Sequence, residues 1–389
     1  MYCVRKVSDD LWWVGGNDRR LAMFEGVYSV PNGVSYNSYL LLDDYTVLFD
    51  TVDPAVSKVF FENIEHVLAG RELNFLVIQH MEPDHSGMID ELLLRHPETV
   101  IVCGERVRAM LRQFRTSEVK NSFRVIKEGS VFNTSHHELT FLAAPMVHWP
   151  EVMVSYEESE QVLFSADAFG RFGTGDPDTP WLPEARRYYI GIVGKYGAQV
   201  TALLKKAAAL SIGTICPLHG PVLTGDLTPY LTAYRTWASY EAESAGVAIA
   251  YTSVYGHTKE AALLLADTLR AAGVKTEVFD LARDDMAAAV AAAFRYDRLV
   301  LATTTYNADL FPFMRTFIEH LCERGFKGRR VGFIENGSWV PRAALLMRAM
   351  FEKSVDLTFA EPVVTLRSAL SPESHASLLK LADWLIGKC

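Results

Sequence analysis

Hydrophobic and polar positions alternate with two different rhythms along the chain. In the first part, short apolar runs are closed by turn residues. Ser38-Tyr39-Leu40-Leu41-Leu42 ends at Asp43-Asp44, and Thr46-Val47-Leu48-Phe49-Asp50 follows, the pattern of two strands joined by a turn. Phe75-Leu76-Val77-Ile78 and Val100-Ile101-Val102 are unbroken apolar runs of the kind that form buried strands. Residues 139–143 and 162–165 continue the series, and helical spacing marks 56–68 and 89–95. These elements predict a strand-rich, layered α/β domain. Residues 171–183 are too rich in Gly and Pro for helix or strand and read as a loop.

The rhythm changes near position 245. Residues 228–244 have helical periodicity with Tyr230, Leu231, Tyr234, Trp237 and Tyr240 on the apolar side, and Gly246 reads as the break. Strands are then predicted at 247–251, 275–280, 298–302, 330–334 and 363–366, alternating with helices at 259–272, 286–294, 313–324, 342–351 and 372–388. Regular βα alternation is the pattern of a parallel sheet with helices on both faces. The expected division is therefore residues 1–245 and 246–389, with no internal repeat.

Composition narrows the function classes. The 389 residues are 49% hydrophobic and 22% charged, a globular balance, with a formal net charge of −9. A net negative chain has no general grip on phosphate backbones, so nucleic acid is not expected as a partner. No apolar run reaches the roughly 18 residues of a membrane span, and the start lacks signal-peptide character, so the expectation is a cytoplasmic protein without membrane contact. The cysteines Cys3, Cys103, Cys216, Cys322 and Cys389 are odd in number and form no Cys-x-x-Cys pair. They read as scattered, mostly buried thiols rather than a disulfide framework or a built-in iron–sulfur site.

Chemistry concentrates after the strand at 75–78. His80-Met81-Glu82-Pro83-Asp84-His85 places four ligand-type side chains within six residues. Clustered carboxylates and imidazoles desolvate and repel one another unless a cation compensates, so the pattern points to metal. Three more candidates each follow an apolar run: His148, Asp167 and His219. His66, His96, His136, His137, His320 and His375 lack that context and read as ordinary. The four His and three carboxylates, free of thiolate, suit a harder, redox-active metal such as iron.

The second part carries a different site. The strand at 247–251 leads into Thr252-Ser253-Val254-Tyr255-Gly256-His257-Thr258 and then a helix, a hydroxyl-rich turn at a helix N-terminus that suits a phosphate. No Gly-x-x-x-x-Gly-Lys is present to support nucleotide hydrolysis. Thr303-Thr304-Thr305-Tyr306-Asn307-Ala308-Asp309 and Asn336-Gly337-Ser338-Trp339 follow the next two central strands. In doubly wound sheets ligands bind beyond these strand ends, where Tyr306 and Trp339 are placed to flank a flat ring.

The metal residues resemble the metallo-β-lactamase superfamily, with Glu82 standing where its zinc hydrolases have a second His. The second part resembles flavodoxin over its full length, which implies FMN. Together, with His148-Trp149-Pro150, Asp167-Ala168-Phe169-Gly170, His219-Gly220-Pro221 and Tyr255-Gly256-x-Thr258, the chain resembles the flavodiiron proteins, or A-type flavoproteins. The resemblance implies an αββα sandwich of the metallo-β-lactamase type followed by a flavodoxin-like doubly wound parallel sheet. It implies two non-haem iron ions per chain, one held by His80, Glu82 and His148, the other by Asp84, His85 and His219, with Asp167 bridging. The implied activity is reduction of dioxygen to water or of nitric oxide to nitrous oxide, with electrons relayed through FMN. The implied partners are a rubredoxin-type external donor, since no such site or nicotinamide fingerprint is present here, and a second copy in a head-to-tail homodimer or dimer of dimers. Phe24, Glu25 and Tyr28 are candidates for the substrate pocket. Two other classes stay open on residues alone: a di-metal hydrolase with a flavodoxin-like accessory domain, which needs no flavin, and a plain electron carrier, which leaves the ligand set unused.

Overall fold

The computed structural model describes residues 2–114, 119–361 and 363–387. Lys388, the predicted end of the last helix, and Cys389 lie outside the described residues. The chain divides into two compact units, Met1–Arg235 and Thr236–Cys389.

The first unit is a sandwich of two sheets. One has seven strands in the order Arg5–Lys6, Leu11–Trp13, Tyr39–Leu41, Val47–Phe49, Phe75–Ile78, Val100–Gly104 and Phe123–Ile126. The other has six: Val131–Asn133, Glu138–Ala143, Met153–Glu157, Val162–Phe164, Thr214–Cys216 and Leu223–Thr224. Alternate side chains make the shared core: Tyr39, Leu41, Val47, Phe49, Val77 and Val102 from the first meet Phe141, Met153, Val162, Phe164 and Cys216 from the second. Phe49 and Phe164 stack across the interface with centroids 3.8 Å apart. The intervening Leu40, Leu48, Leu76 and Ile101 are buried too. A strand buried on both faces needs an apolar run without alternation, which is what these segments have.

The second unit is a parallel sheet in the order Thr276–Asp280, Ser244–Tyr251, Tyr296–Tyr306, Arg330–Asn336, with Thr358–Phe359 and Val364–Leu366 both pairing to Arg330–Asn336. This is the flavodoxin-like strand order. Helices His257–Ala271 and Pro372–Ile386 bury Ala261, Leu265, Leu269, Leu378, Leu381 and Leu385 against Val247, Ile249 and Val300. No helix of the described residues is long and apolar enough to cross a membrane.

Four local expectations change. The helix predicted for 228–244 is Thr228–Ser239, and Tyr240 leaves it with φ 63°. Gly246 is no breaker: it lies inside Ser244–Tyr251, where a Cβ would come within 2.3 Å of the Tyr296 ring. A glycine in a strand marks such a close approach. The third strand runs on to Tyr306 and turns back through Asp309–Leu310, so most of the expected loop at 303–309 is hairpin. Helix Trp181–Tyr188 starts inside the expected loop 171–183. Pro183 sits in its first turn, where a missing N–H costs nothing. Of the thiols expected to be mostly buried, Cys103 and Cys216 are, Cys322 is half-buried and Cys3 is exposed.

Candidate metal centre and cofactor cavity

Four strand ends deliver donors to one rim of the first unit. Phe75–Ile78 leads to His80, Glu138–Ala143 toward His148, Val162–Phe164 to Asp167, and Thr214–Cys216 to His219. Val162–Phe164 and Thr214–Cys216 are parallel, so Asp167 and His219 leave the sheet on the same side. The two sheets are tied at this rim. The Met153 N–H donates to the Gln79 carbonyl at 3.1 Å, and the Ser155 hydroxyl to the Gln79 side chain at 2.9 Å. Buried Asp50 accepts from the N–H groups of Gln79 at 2.8 Å and His80 at 3.2 Å, fixing the backbone that carries His80.

All seven predicted ligand-type residues come together. His80, Glu82, His148 and Asp167 form one group and Asp84, His85 and His219 a second, donor atoms within each lying within 4.8 Å of one another. Asp167 joins them. Its Oδ2 is 2.9 Å from His148 Nε2 and 3.2 Å from His80 Nε2, while its Oδ1 is 3.2 Å from His85 Nε2 and 3.7 Å from His219 Nε2. Glu82 Oε2 lies 3.3 Å from His80 and 3.0 Å from His148, and Asp84 Oδ2 lies 3.4 Å from His85 and 3.3 Å from His219.

The arrangement fits two cations. Both oxygens of Asp84 and of Asp167 are buried without a hydrogen-bond partner. The Nε2 atoms of His85 and His219 face each other at 3.1 Å, where two bare ring nitrogens repel. A cation in each group satisfies oxygens and nitrogens together. Without one, the carboxylates lean on the imidazoles. Burial pushes the His148 ring down, but Asp167 and Glu82 outweigh it and raise it to about 9. Burial would raise the Asp167 carboxyl, yet His85, His80 and His148 hold it well below its ordinary range.

Beside the second group, Phe24 meets the His219 ring edge-on at 5.4 Å and Phe172 at 5.6 Å. Tyr28 packs on Phe172 at 5.5 Å and donates its hydroxyl to the Gly191 carbonyl at 2.8 Å. Desolvation and the Glu82 carboxylate raise Glu25 to about 7. His136 and His137 sit among acids elsewhere, His136 Nδ1 2.7 Å from Asp43 and His137 Nδ1 3.0 Å from Glu157, as self-satisfied pairs.

In the second unit, the ends of Ser244–Tyr251, Tyr296–Tyr306 and Arg330–Asn336 open on a cavity of about 800 Å³. Ser253, Val254, Tyr255, His257, Thr258, Thr304, Thr305, Tyr306, Asn307, Ala308, Asn336, Gly337, Ser338 and Trp339 line it, all predicted; Thr252 and Gly256 do not. Thr252 lies beneath, its hydroxyl 2.6 Å from that of Thr303. Gly256 has φ 97° and caps helix His257–Ala271, a conformation that favours glycine. The loops are cross-braced: Asn336 Nδ2 donates to the Ser368 carbonyl at 2.9 Å, and the Arg342 N–H to the Thr305 hydroxyl at 3.0 Å. Tyr255 and Trp339 remain 91% and 84% exposed although they line the cavity. Hydroxyls at a helix N-terminus and exposed aromatics, with no carboxylate in the lining, fit a phosphate-bearing flat ring.

Two families match in sequence, in this order. Residues 34–220 match the family described as ODP family beta lactamase, and residues 249–357 match flavodoxin. The anaerobic nitric oxide reductase flavorubredoxin of Vibrio vulnificus is 29% identical over 370 residues, covering 90% of this chain and 74% of the relative. The protein of the same name from Escherichia coli is 28% identical over 369 residues, covering 90% and 77%. Among solved structures, the rubredoxin oxygen:oxidoreductase of Desulfovibrio gigas superposes with a TM-score of 0.91 at 23% identity, over 99% of this chain and 98% of that one. The flavodiiron protein of Giardia intestinalis gives 0.88 at 21%, over 99% and 98%.

The chain shares the fold of the flavodiiron proteins, a beta-lactamase-type domain followed by a flavodoxin domain.

Sequence reasoning missed several residues of these two candidate sites. Glu151 Oε1 lies 2.8 Å from His80 Nδ1, and the Ser35 carbonyl 2.7 Å from His219 Nδ1. Val340, Arg342 and Ser368 complete the cavity lining. Only Glu151 left a trace, as an acid three positions after a candidate ligand, and that spacing has no meaning until the strand is placed.

Proposed function

We propose that this chain is a flavodiiron protein, an oxidoreductase that reduces nitric oxide to nitrous oxide, dioxygen to water, or both. The observation that carries the reading is Asp167, whose two oxygens face two separate groups of imidazole and carboxylate donors. One iron is assigned to His80, Glu82 and His148, the other to Asp84, His85 and His219, with Asp167 shared. FMN is assigned to the cavity, where residues 253–258 at the helix N-terminus would hold its phosphate and Tyr306 and Trp339 would flank its ring. Bound there, two irons would supply a redox-active site for a diatomic substrate, and FMN would supply further electrons.

The chain's own residues do the rest. Glu82, Asp84 and Asp167 would offset the metal charge in a largely buried rim. Glu151 and the Ser35 carbonyl accept hydrogen bonds from Nδ1–H of His80 and His219, which leaves each Nε2 as the donor toward a metal. Phe24 and Phe172 exclude water beside His219. The names of the relatives support both substrates, nitric oxide in the Vibrio and Escherichia proteins and oxygen in the Desulfovibrio one. These 389 residues hold no Cys-x-x-Cys pair, so the reading includes a rubredoxin-type donor outside them. It also includes a homodimer, the commonest oligomer, which a mass measurement in solution checks. A hydrolase would leave the second cavity without use.

Protein purified from iron-replete cells is expected to hold about two iron and about one FMN per chain. Anaerobic turnover with nitric oxide, and separately with dioxygen, then ranks the substrates. Stoichiometric zinc without flavin, and no gas consumption, overturns the reading.

A further inference from the structure

Glu151 is buried, 4% exposed, in the turn before strand Met153–Glu157. Its Oε1 accepts two hydrogen bonds, from His80 Nδ1 at 2.8 Å and from the Met81 N–H at 2.9 Å. Its Oε2 is buried with no hydrogen-bond partner. A carboxylate is costly to bury with one oxygen unsatisfied, and hydrophobic burial does not repay it. Something in the rim must offset that cost, and His80 is the group its occupied oxygen holds.

The other imidazoles of the set are treated differently. His219 Nδ1 meets the neutral carbonyl of Ser35 at 2.7 Å. His85 Nδ1 is buried without a hydrogen-bond partner. Among the described residues, Glu151 is the only carboxylate within ion-pair distance of an Nδ1 in the set. An anionic acceptor fixes the Nδ1–H tautomer, turns Nε2 toward the metal and makes that nitrogen a stronger donor; a carbonyl does so more weakly.

We infer that Glu151 is a positioning residue for His80, and that it makes the metal of the His80, Glu82 and His148 group electronically distinct from its neighbour. The inference rests on the di-iron reading above. Glu151 touches neither substrate nor metal and acts only through the His80 ring.

The test uses E151Q, which keeps an acceptor for His80 and Met81 but removes the charge, and E151A, which removes both. Each is titrated anaerobically with ferrous iron against a chromophoric chelator, and the loaded proteins are compared by Mössbauer spectroscopy. E151A is expected to bind one of the two ferrous ions about 10- to 100-fold more weakly, with E151Q between it and wild type. In E151Q one of the two iron environments changes and the other does not, with FMN content at the wild-type level. A merely structural role predicts that both environments shift together, and that result overturns the inference, as does wild-type affinity with unchanged spectra. If E151A fails to fold, E151Q decides alone. Failure of wild type to take up two ferrous ions counts against the di-iron reading instead, so the two failures separate.

Discussion

Replacing Trp339 with alanine isolates the contribution of one ring to cofactor binding. Trp339 lines the cavity of the second unit yet stays 84% exposed, so truncation opens no hole in the core and should leave the fold intact. Its worth appears only when a flat ligand covers one indole face. An aromatic side chain buries about 150–250 Å² in total, so one face is roughly 80 Å². At about 25 cal/mol per Å² that contributes about 2 kcal/mol. Stacking geometry adds about 0.5–1 kcal/mol, and ordering an exposed side chain takes back about 1 kcal/mol. The net of about 1.5–2 kcal/mol predicts a roughly 10- to 30-fold weaker FMN affinity. The assay is quenching of FMN fluorescence as flavin-free protein is added, with thermal unfolding of the same samples as control. Trp339→Phe should restore most of the loss, since a smaller face still stacks. A change below about twofold in Trp339→Ala, with the fold intact, refutes the placement of the ring against Trp339.

Two further outcomes test the first unit. Asp167→Ala should abolish gas reduction and lower iron content while FMN stays bound, because all four imidazoles of the set lose the carboxylate they face, and the second unit has its own core; near-normal turnover would remove the bridging role. His137, held by a hydrogen bond to Glu157, has its pKa raised to about 9, and Glu157 is lowered from its usual value despite burial. The imidazolium's stabilisation is therefore complete below about pH 6.5, above the acid range where Glu157 protonates, and is lost as pH rises toward about 9. After discounting for solvent screening it is worth about 1–2 kcal/mol. Denaturant unfolding at pH 6 and pH 9.5 should show that loss in wild type and a flatter profile in His137→Gln; parallel profiles would refute it.

Much of the architecture was legible because its strands are buried on both faces or alternate regularly. Phe75–Ile78 and Glu138–Ala143 stand within a residue of where the apolar runs put them. The misreadings share one cause: a residue's local meaning was overridden by what packs on it. Gly246 looks like a helix breaker until Tyr296 is seen lying over it. Thr303 to Tyr306 look like loop because polar residues rarely extend a central strand, yet Thr303 and Thr304 pair with Glu335 and Asn336. Here the strand carries its polar end out to the cavity, so function and sheet share the same residues.

The two sites differ in how far the chain must travel to build them. The cavity loops each follow their own strand of one sheet, so adjacency in the fold follows from βα order, and most lining residues could be named from the sequence. The metal centre joins four strand ends from two sheets. Its ligand types were visible because clustered His, Asp and Glu are costly without a cation. The groups that orient them were not: Glu151 lies 71 positions from His80, and Ser35 lies 184 from His219. A buried glutamate and a backbone carbonyl have no sequence signature, since every residue has a carbonyl and the glutamate's charge is justified only by the ring it meets. The same long separations mean that the donors cannot converge before the two sheets have closed on each other. Metal affinity is then coupled to assembly of the sandwich, because ions bind the assembled donors far better than the open chain. Loss of metal should lower the stability of the first unit, while loss of flavin should leave it unchanged.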